Sequence, residues 1–230
     1  MKCNKKLAFT LAEVLITLGI IGVVAAITIP SLITNYEKKA TITKLKKTYS
    51  EVANAVKLSE AENGDISGWD ISNKAEKFEE YILPYIKASK KNYPAYSFNY
   101  KFANGNNGGA LAIVNRATVV YTLLSGVDII TCQITNNRAN IALVIDTNGV
   151  NKHPNKLGWD TFYVSIDAKG LSMAQRTDNE SEAGLYPFKS RETLLNGPSQ
   201  NDYHCSALGV WCGALIQRDG WEMKKDYPWK

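Results

Sequence analysis

Apolar residues dominate the start of the chain and become regularly spaced farther on. Residues 14–33 contain no charged side chain, and as a helix they would span about 30 Å, the thickness of a membrane's hydrocarbon core. Beyond them, apolar residues recur three and four positions apart, which predicts an amphipathic helix. These positions are Ile33, Tyr36, Ala40, Leu45, Tyr49, Val52 and Val56. Residues 63–65 (Asn-Gly-Asp) form a stop signal, so we predict one helix over residues 9–62, about 80 Å long.

A second helix and a series of strands are predicted after this point. Apolar and aromatic residues lie on one side of a predicted helix over residues 74–88. Five later segments are short and rich in β-branched and aromatic residues, and Gly/Asn-rich turns separate them. They are residues 97–102, 117–124, 127–134, 140–146 and 161–167. The pattern predicts an antiparallel meander packed on the second half of the long helix, an α+β fold, with a loop-like tail from Gly170 to a compact closing segment.

Charged residues mark both ends of the apolar run. Lys5 and Lys6 precede it and residues 37–39 (Glu-Lys-Lys) follow it. The positive-inside rule therefore predicts a cytoplasmic N-terminus, with most of the chain outside. A secretory signal peptide is the alternative, with residues 24–26 (Val-Ala-Ala) as a cleavage site. Glu13 interrupts the apolar region of such a peptide, and the apolar periodicity continues beyond residue 26; both features argue against it.

Residues 5–13, Lys-Lys-Leu-Ala-Phe-Thr-Leu-Ala-Glu, resemble the processing site of type IV prepilins and type II secretion pseudopilins. In that family a prepilin peptidase removes a short leader at the cytoplasmic membrane face and N-methylates the new first residue. The resemblance implies a leader over residues 1–8, a scissile bond between Ala8 and Phe9, and methylation of Phe9. The residue before the cut is usually Gly in the family. Ala8 is the smallest substitute, so we expect slower processing rather than none.

The resemblance also implies a domain organisation and a set of partners. Residues 9–33 would form the transmembrane and assembly half of the helix, and residues 34–230 an extracytoplasmic, pilin-like domain. The expected partners are other copies and related pilin subunits in a filament, the prepilin peptidase, an inner-membrane assembly platform and membrane lipid. The protein is expected in the inner membrane, single-pass with its C-terminal domain outside the cytoplasm, and then in a filament in the periplasm or at the cell surface.

Glu13 is an acidic residue at the point where the apolar helix begins. An ionised carboxylate in lipid is costly, so a positively charged partner is expected. Cleavage after Ala8 would create an amine on Phe9, which could reach Glu13 of the same helix or of a neighbouring subunit. An anchor in which Glu13 merely lies at the membrane interface is the alternative. Pro30 removes one backbone donor and would loosen the helix for its transfer to a filament, although membrane helices also simply tolerate proline.

Composition limits the functions that remain. The chain has 230 residues, 45% of them hydrophobic, which is enough for one membrane helix and one domain. Loss of Lys2, Lys5 and Lys6 with the leader lowers the formal charge from +5 to +2, too small a value to predict nucleic acid binding. His153 and His204 are the only histidines, and the sequence has no phosphate loop, CxxC pair or HExxH motif. We therefore expect no enzymatic activity.

Three cysteines remain once Cys3 is lost with the leader. Outside the cytoplasm two of them can pair. Cys205 and Cys212 close a short loop and are the expected disulfide. Cys132 lies in an apolar, strand-like run, where a buried free thiol is common. The other two pairings stay open.

A late loop carries oxygen-bearing side chains at alternate positions. Asp146 and Asn148 follow a predicted strand, and Asp160 lies farther along. Such ligands suit calcium, and the segment resembles the late loop in which major pseudopilins bind this ion. The loop is not an EF-hand, because Asn151 occupies the sixth position and no Glu closes it. Asx-Gly turns also form without metal, so a plain turn is the alternative to a calcium site, and no other cofactor is expected.

Two classes of function follow from these features. The favoured class is a structural subunit of a type IV pilus-like or type II secretion pseudopilus filament, processed and N-methylated by a prepilin peptidase. The alternative is a membrane-anchored extracytoplasmic binding module that does not polymerise.

Overall fold

The computed structural model of the chain describes residues 10–70, 74–93, 98–106, 119–132, 140–173, 190–197 and 202–229. The chain divides into two compact units, Met1–Ala40 and Thr41–Lys230. These two units are defined by contacts between residues of the chain. The predicted boundary after residue 33 is instead the point where the chain would leave the membrane, and it stays a prediction.

Helix α1 spans Leu11–Asn63 and contains 53 residues. Its bounds confirm the predicted long helix to within two residues at each end. Pro30 lies inside the helix, and the Thr34 hydroxyl donates to the Pro30 carbonyl at 3.0 Å. The helix ends where predicted, because Gly64 takes a φ of 81°, a left-handed conformation that glycine adopts without steric cost.

Helix α2 spans Lys74–Tyr81 and is followed by a 3₁₀ turn at Leu83–Tyr85. The prediction of a helix through residue 88 is therefore wrong at its C-terminal end. Pro84 explains the difference, because proline has no N–H and clashes with a preceding α-helical turn. The amide of Ile86 instead donates to the Leu83 carbonyl at 3.1 Å, which is the spacing of a 3₁₀ turn.

One six-stranded sheet follows, in the order β1-β2-β3-β4-β5-β6. Every neighbouring pair is antiparallel, as the predicted meander requires. The strands are β1 (Ala88–Asn92), β2 (Val119–Leu123), β3 (Asp128–Cys132), β4 (Asn140–Asp146), β5 (Thr161–Asp167) and β6 (Gly170–Ser172). Strands β2 to β5 lie within predicted segments. Strands β1 and β6 were not predicted, because one is rich in lysine and the other has only three residues.

The segment predicted as a strand over residues 97–102 is not one in its described part, residues 98–102. Phe98, Tyr100 and Phe102 are buried, and the residues between them are exposed. The two-residue period is thus real, but the backbone of this segment bonds to a loop: the Lys101 amide donates to the Asn155 carbonyl at 2.9 Å. An extended segment can alternate in this way without joining the sheet.

The sheet separates two apolar clusters. One face packs against the second half of α1, helix α2 and the C-terminal part of the chain, with Leu45, Phe78 and Ile129 fully buried. The other face packs against the aromatic segment that contains Tyr100. The tail that was predicted to be loop-like contains one short helix, α3 (Arg191–Asn196), and the predicted compact closing segment begins with a second, α4 (Cys212–Arg218). The result is an α+β, pilin-like fold with a long apolar N-terminal helix.

Candidate functional sites

The first half of α1 exposes its large apolar side chains. Ile16 is 63% exposed, Ile27 72% and Leu32 70%. Within the described residues, α1 is the one helix that is long and apolar enough to cross a membrane, and none of its most apolar stretch is buried inside the chain. A helix that is apolar on all sides needs lipid or other protein to cover it. This half of α1 is therefore consistent with a single membrane anchor.

Glu13 lies in the first turn of this helix and contacts Thr10. The backbone amide and the hydroxyl of Thr10 each donate to Oε2 of Glu13, both at 2.8 Å. In return, the Glu13 amide donates to the Thr10 hydroxyl at 3.2 Å. This is a capping box, in which a threonine and a glutamate three positions later satisfy each other's backbone amides at a helix N-terminus.

Sequence reasoning selected Glu13 and missed Thr10. The signal was present, because Thr-x-x-Glu before an apolar run is the sequence pattern of a capping box. Ala8 and Phe9 lie outside the described residues. Cleavage between them, methylation of Phe9 and the pairing of the Phe9 amine with Glu13 therefore stay predictions.

The predicted calcium loop follows β4 and leads into β5. The Asp146 carboxylate accepts the Gly149 amide at 2.8 Å on Oδ1 and the Tyr100 hydroxyl at 2.8 Å on Oδ2. The Asp160 carboxylate accepts the Lys156 amide at 2.7 Å on Oδ1 and the Asn155 amide at 2.8 Å on Oδ2. Each of the four carboxylate oxygens thus accepts a hydrogen bond, and the two side chains hold the turns of the loop in place.

A third carboxylate, that of Asp128, belongs to the same region. Asp128 on β3 lies opposite Asp146 on β4, and its Oδ2 accepts the Val150 amide at 2.9 Å. Burial raises the pKa of Asp146 to about 7, and the nearby charge of Asp160 adds to this rise. Burial also raises the pKa of Asp160. Asp128, Asp146 and Asp160 are therefore three acids of one region that are largely shielded from water.

The donor atoms of this loop can be compared with the needs of a calcium ion, which takes six to eight oxygen ligands. The amide oxygens of Asn148 and Asn155 are buried without a hydrogen-bond partner, so they are acceptors that a cation could use. In the described part of the chain, however, no three His, Cys, Asp or Glu side chains are grouped to hold a metal ion. Calcium at Asp146, Asn148 and Asp160 stays a prediction.

The structure joins Cys205 and Cys212 by a disulfide, with their Cα atoms 4.6 Å apart. Both residues are buried, and Cys212 is the first residue of α4. Gly158 packs directly against the Cys212 sulfur, where any side chain would collide with it. The bridge therefore closes a loop within the C-terminal part of the chain, and its Cys212 sulfur packs against the loop that leads into β5. The side chain of Cys132 lies outside the described residues.

Comparison with known proteins also divides the chain into an N-terminal part and a larger C-terminal part. Residues 3–29 match the prokaryotic N-terminal methylation motif. Residues 31–230 match DUF6613, a family of unknown function. The chain therefore belongs to the DUF6613 family and carries a prepilin-type N-terminus. No curated protein and no solved structure matches it.

Proposed function

We propose that this chain is a structural subunit of a type IV pilus-like or type II secretion pseudopilus filament. In this proposal a prepilin peptidase cuts between Ala8 and Phe9 and methylates Phe9. The observation that carries it is the coincidence of two features on one helix. The methylation motif covers residues 3–29, and the described residues bury none of the most apolar stretch of the helix that it opens.

In the proposed assembly pathway, the subunit first lies in the inner membrane. Lys2, Lys5 and Lys6 favour a cytoplasmic N-terminus, which leaves the C-terminal domain outside. The first half of α1 is then covered by lipid. In the filament the same surface is covered by other copies or by related pilin subunits, delivered through a membrane assembly platform. The filament would lie in the periplasm or at the cell surface.

In this proposal the carboxylate of Glu13 favours assembly of the subunits. A carboxylate at the start of an apolar helix favours any arrangement that brings a positive charge close to it, since the attraction is strong in a medium of low dielectric constant. The Phe9 amine of another copy is such a charge. The pair would form only when subunits assemble, so it would favour the filament over the separate membrane subunit.

The mass of the mature N-terminus tests the proposal. We expect protein purified from its native host to lack residues 1–8 and to carry one methyl group on Phe9. An Ala8→Gly variant should be processed at least as fast, and an Ala8→Lys variant, with a long charged side chain at the cut, should accumulate unprocessed. A mature chain that retains Met1, or that starts at Ile27, would contradict the proposal and favour an anchored or secreted domain.

A further inference from the structure

We propose that the C-terminal domain binds an acidic oligosaccharide at a surface where two lysines lie beside two stacked tryptophans. This lysine–tryptophan site consists of Lys101, Lys156, Trp159 and Trp229. Recognition of such a ligand is separate from the proposed filament function, because no group of the site lies on α1.

The backbone holds the two lysines next to each other. The Lys101 amide donates to the Asn155 carbonyl, and the Leu157 amide donates to the Lys101 carbonyl, both at 2.9 Å. These bonds pair Lys101 with Lys156 in a short parallel bridge. Lys101 is exposed and Lys156 is partly buried. The two side chains therefore start from neighbouring points of the backbone, and both reach the surface.

The two ammonium groups are close enough to affect each other. Burial lowers the pKa of Lys156, and the positive charge of Lys101 lowers it further. Among the described residues, no carboxylate lies within ion-pair distance of either ammonium. Asp160, four positions after Lys156, gives its carboxylate oxygens to backbone amides instead. A bound anion would replace the repulsion between the lysines with attraction, so the pair favours an anionic ligand.

Two aromatic rings adjoin the pair of lysines. The Lys156 ammonium lies 4.4 Å from the centre of the Trp159 ring. The Trp229 ring stacks on Trp159, with ring centroids 5.1 Å apart and planes 4° from parallel. Both tryptophans are only partly buried. The Tyr227 hydroxyl donates to the Gly158 carbonyl at 2.6 Å, which holds the C-terminal segment and its tryptophan against this loop.

This combination of groups suits a sugar that carries a carboxylate. The face of an aromatic ring is negatively polarised, so it attracts the C–H groups of a sugar ring, whose hydrogens carry a partial positive charge. The lysines supply charged donors for the carboxylate of the same sugar. Ligand sites in proteins typically combine aromatic surface with a few placed polar groups in this way.

Single-stranded nucleic acid also combines flat rings with negative charge, and two features argue against it. Proteins that bind such strands have a groove of cations that follows the phosphate backbone, whereas this site offers two lysines. Without residues 1–8 the chain has a formal charge of +2, which gives little long-range attraction for a polyanion.

Calorimetric titration of the full chain in lipid nanodiscs tests the site. The probe is tetragalacturonate, its methyl ester is the uncharged control with the same sugar rings, and an oligothymidylate is the nucleic acid control. We expect tetragalacturonate to bind, and the ester to bind about tenfold more weakly, because the ester lacks the charge that the lysines recognise. The oligothymidylate should not bind measurably.

Three substitutions separate the contributions of charge and ring. Lys101→Gln should weaken tetragalacturonate binding about fivefold and reduce the preference for the acid over the ester, without lowering the melting temperature. Trp229→Leu should weaken binding of the acid and of the ester alike, by about fivefold, because both use the ring. Lys87→Gln, which removes an exposed lysine just before β1, should stay within about twofold of wild type.

Equal affinity of the wild-type chain for the acid and the ester, or no binding of tetragalacturonate, would overturn the proposal. The same conclusion would follow from equal effects of Lys87→Gln and Lys101→Gln, or from binding of the oligothymidylate alone. The proposed filament function would stand in each case, because the mass of the mature N-terminus tests it separately.

Discussion

The two halves of α1 carry similar apolar residues in opposite surroundings. Ile27 in the first half is 72% exposed, whereas Leu45 in the second half is fully buried. Leu45 belongs to the cluster that α1 forms with α2 and the sheet. The first half has no such partner in the described chain. The second half thus stabilises its own domain, and burial of the first half has to be supplied by lipid or by other copies.

Charged groups differ between the same two regions. Asp219 in the domain is paired with Arg191 at 2.7 Å and with Lys224 at 3.1 Å. Glu13 on the first half of α1 is held by the neutral donors of Thr10. At Asp219 the domain neutralises a charge within one chain, whereas the donors of Thr10 leave the charge of Glu13 in place. Under the proposed function, this contrast assigns the contacts between subunits to the first half of α1.

One pair of matched substitutions tests the comparison directly and should give the largest change in stability. Leu45→Ala removes a fully buried side chain and should destabilise the domain by about 2–5 kcal/mol. Ile27→Ala removes an exposed one and should change domain stability by less than about 0.5 kcal/mol, while it lowers filament yield. Thermal unfolding of the full chain in nanodiscs measures the first effect, and shearing measures the second. Equal destabilisation by both substitutions would show that the first half is covered within its own chain.

Loss of the disulfide should give the next largest change in stability, and its effect should be confined to the domain. Loss of the Cys205–Cys212 bridge by paired serine substitution should cost about 2–3 kcal/mol, because its short loop gains entropy in the unfolded chain. Processing and membrane insertion should be unchanged. Peptide mapping without reduction identifies the bridge, and urea unfolding measures the cost. A peptide that links Cys132 to either cysteine would contradict the pairing.

Acid should weaken the ion pairs that close the C-terminal part of the domain. Burial alone would raise the pKa of Asp219, but Arg191 and Lys224 bring it below its ordinary value, and Arg191 also lowers the pKa of Asp226. A lowered folded-state pKa means that this stability is present above the unfolded pKa of about 3.9 and is lost as the pH falls below it.

Arg191→Gln, which removes the charge shared by these pairs, should cost about 1–2 kcal/mol at neutral pH. The variant should also lose less stability than wild type when the pH is lowered to 3. Urea unfolding midpoints at the two pH values provide the measurement. An unchanged pH dependence in the variant would assign the acid sensitivity to other groups.

Calcium should have the smallest effect. If the ion binds at Asp146 with a dissociation constant near 0.1 mM, then 1 mM calcium adds about 1.4 kcal/mol and raises the melting temperature of the domain. Magnesium serves as the ion control, and Asp146→Ala as the variant control. No shift with calcium, or an equal shift in Asp146→Ala, would leave the loop as a hydrogen-bonded turn.

Much of the fold could be predicted, because its main elements have long and regular patterns. The bounds of α1 followed from its apolar period and from Gly64, and β2 to β5 followed from β-branched runs. Shorter elements could not be predicted in this way. The polar edge strand β1 forms through backbone pairing with β2, which leaves little trace in its own sequence.

The sites divide similarly into local and long-range contacts. The capping box could be predicted from the sequence, because Thr10 and Glu13 are three residues apart. The contacts among the buried acids could be predicted only in part, because they depend on the folded sheet. Asp128 meets Asp146 through strand register, and Tyr100 reaches Asp146 from 46 residues away. No fixed spacing along the sequence predicts contacts of that kind.

One substitution tests whether the first half of α1 assembles filaments through the charge of Glu13. Glu13→Val removes the carboxylate and suits lipid better, so the variant should insert and be processed. Glu37→Val, at an exposed acid beyond the apolar run, is the matched control. Filament yield is scored by shearing and electron microscopy in cells without wild-type chain, relative to the processed membrane pool. We predict few or no filaments for Glu13→Val and near-normal yield for Glu37→Val; filaments at normal yield from Glu13→Val would contradict the proposed role of its charge.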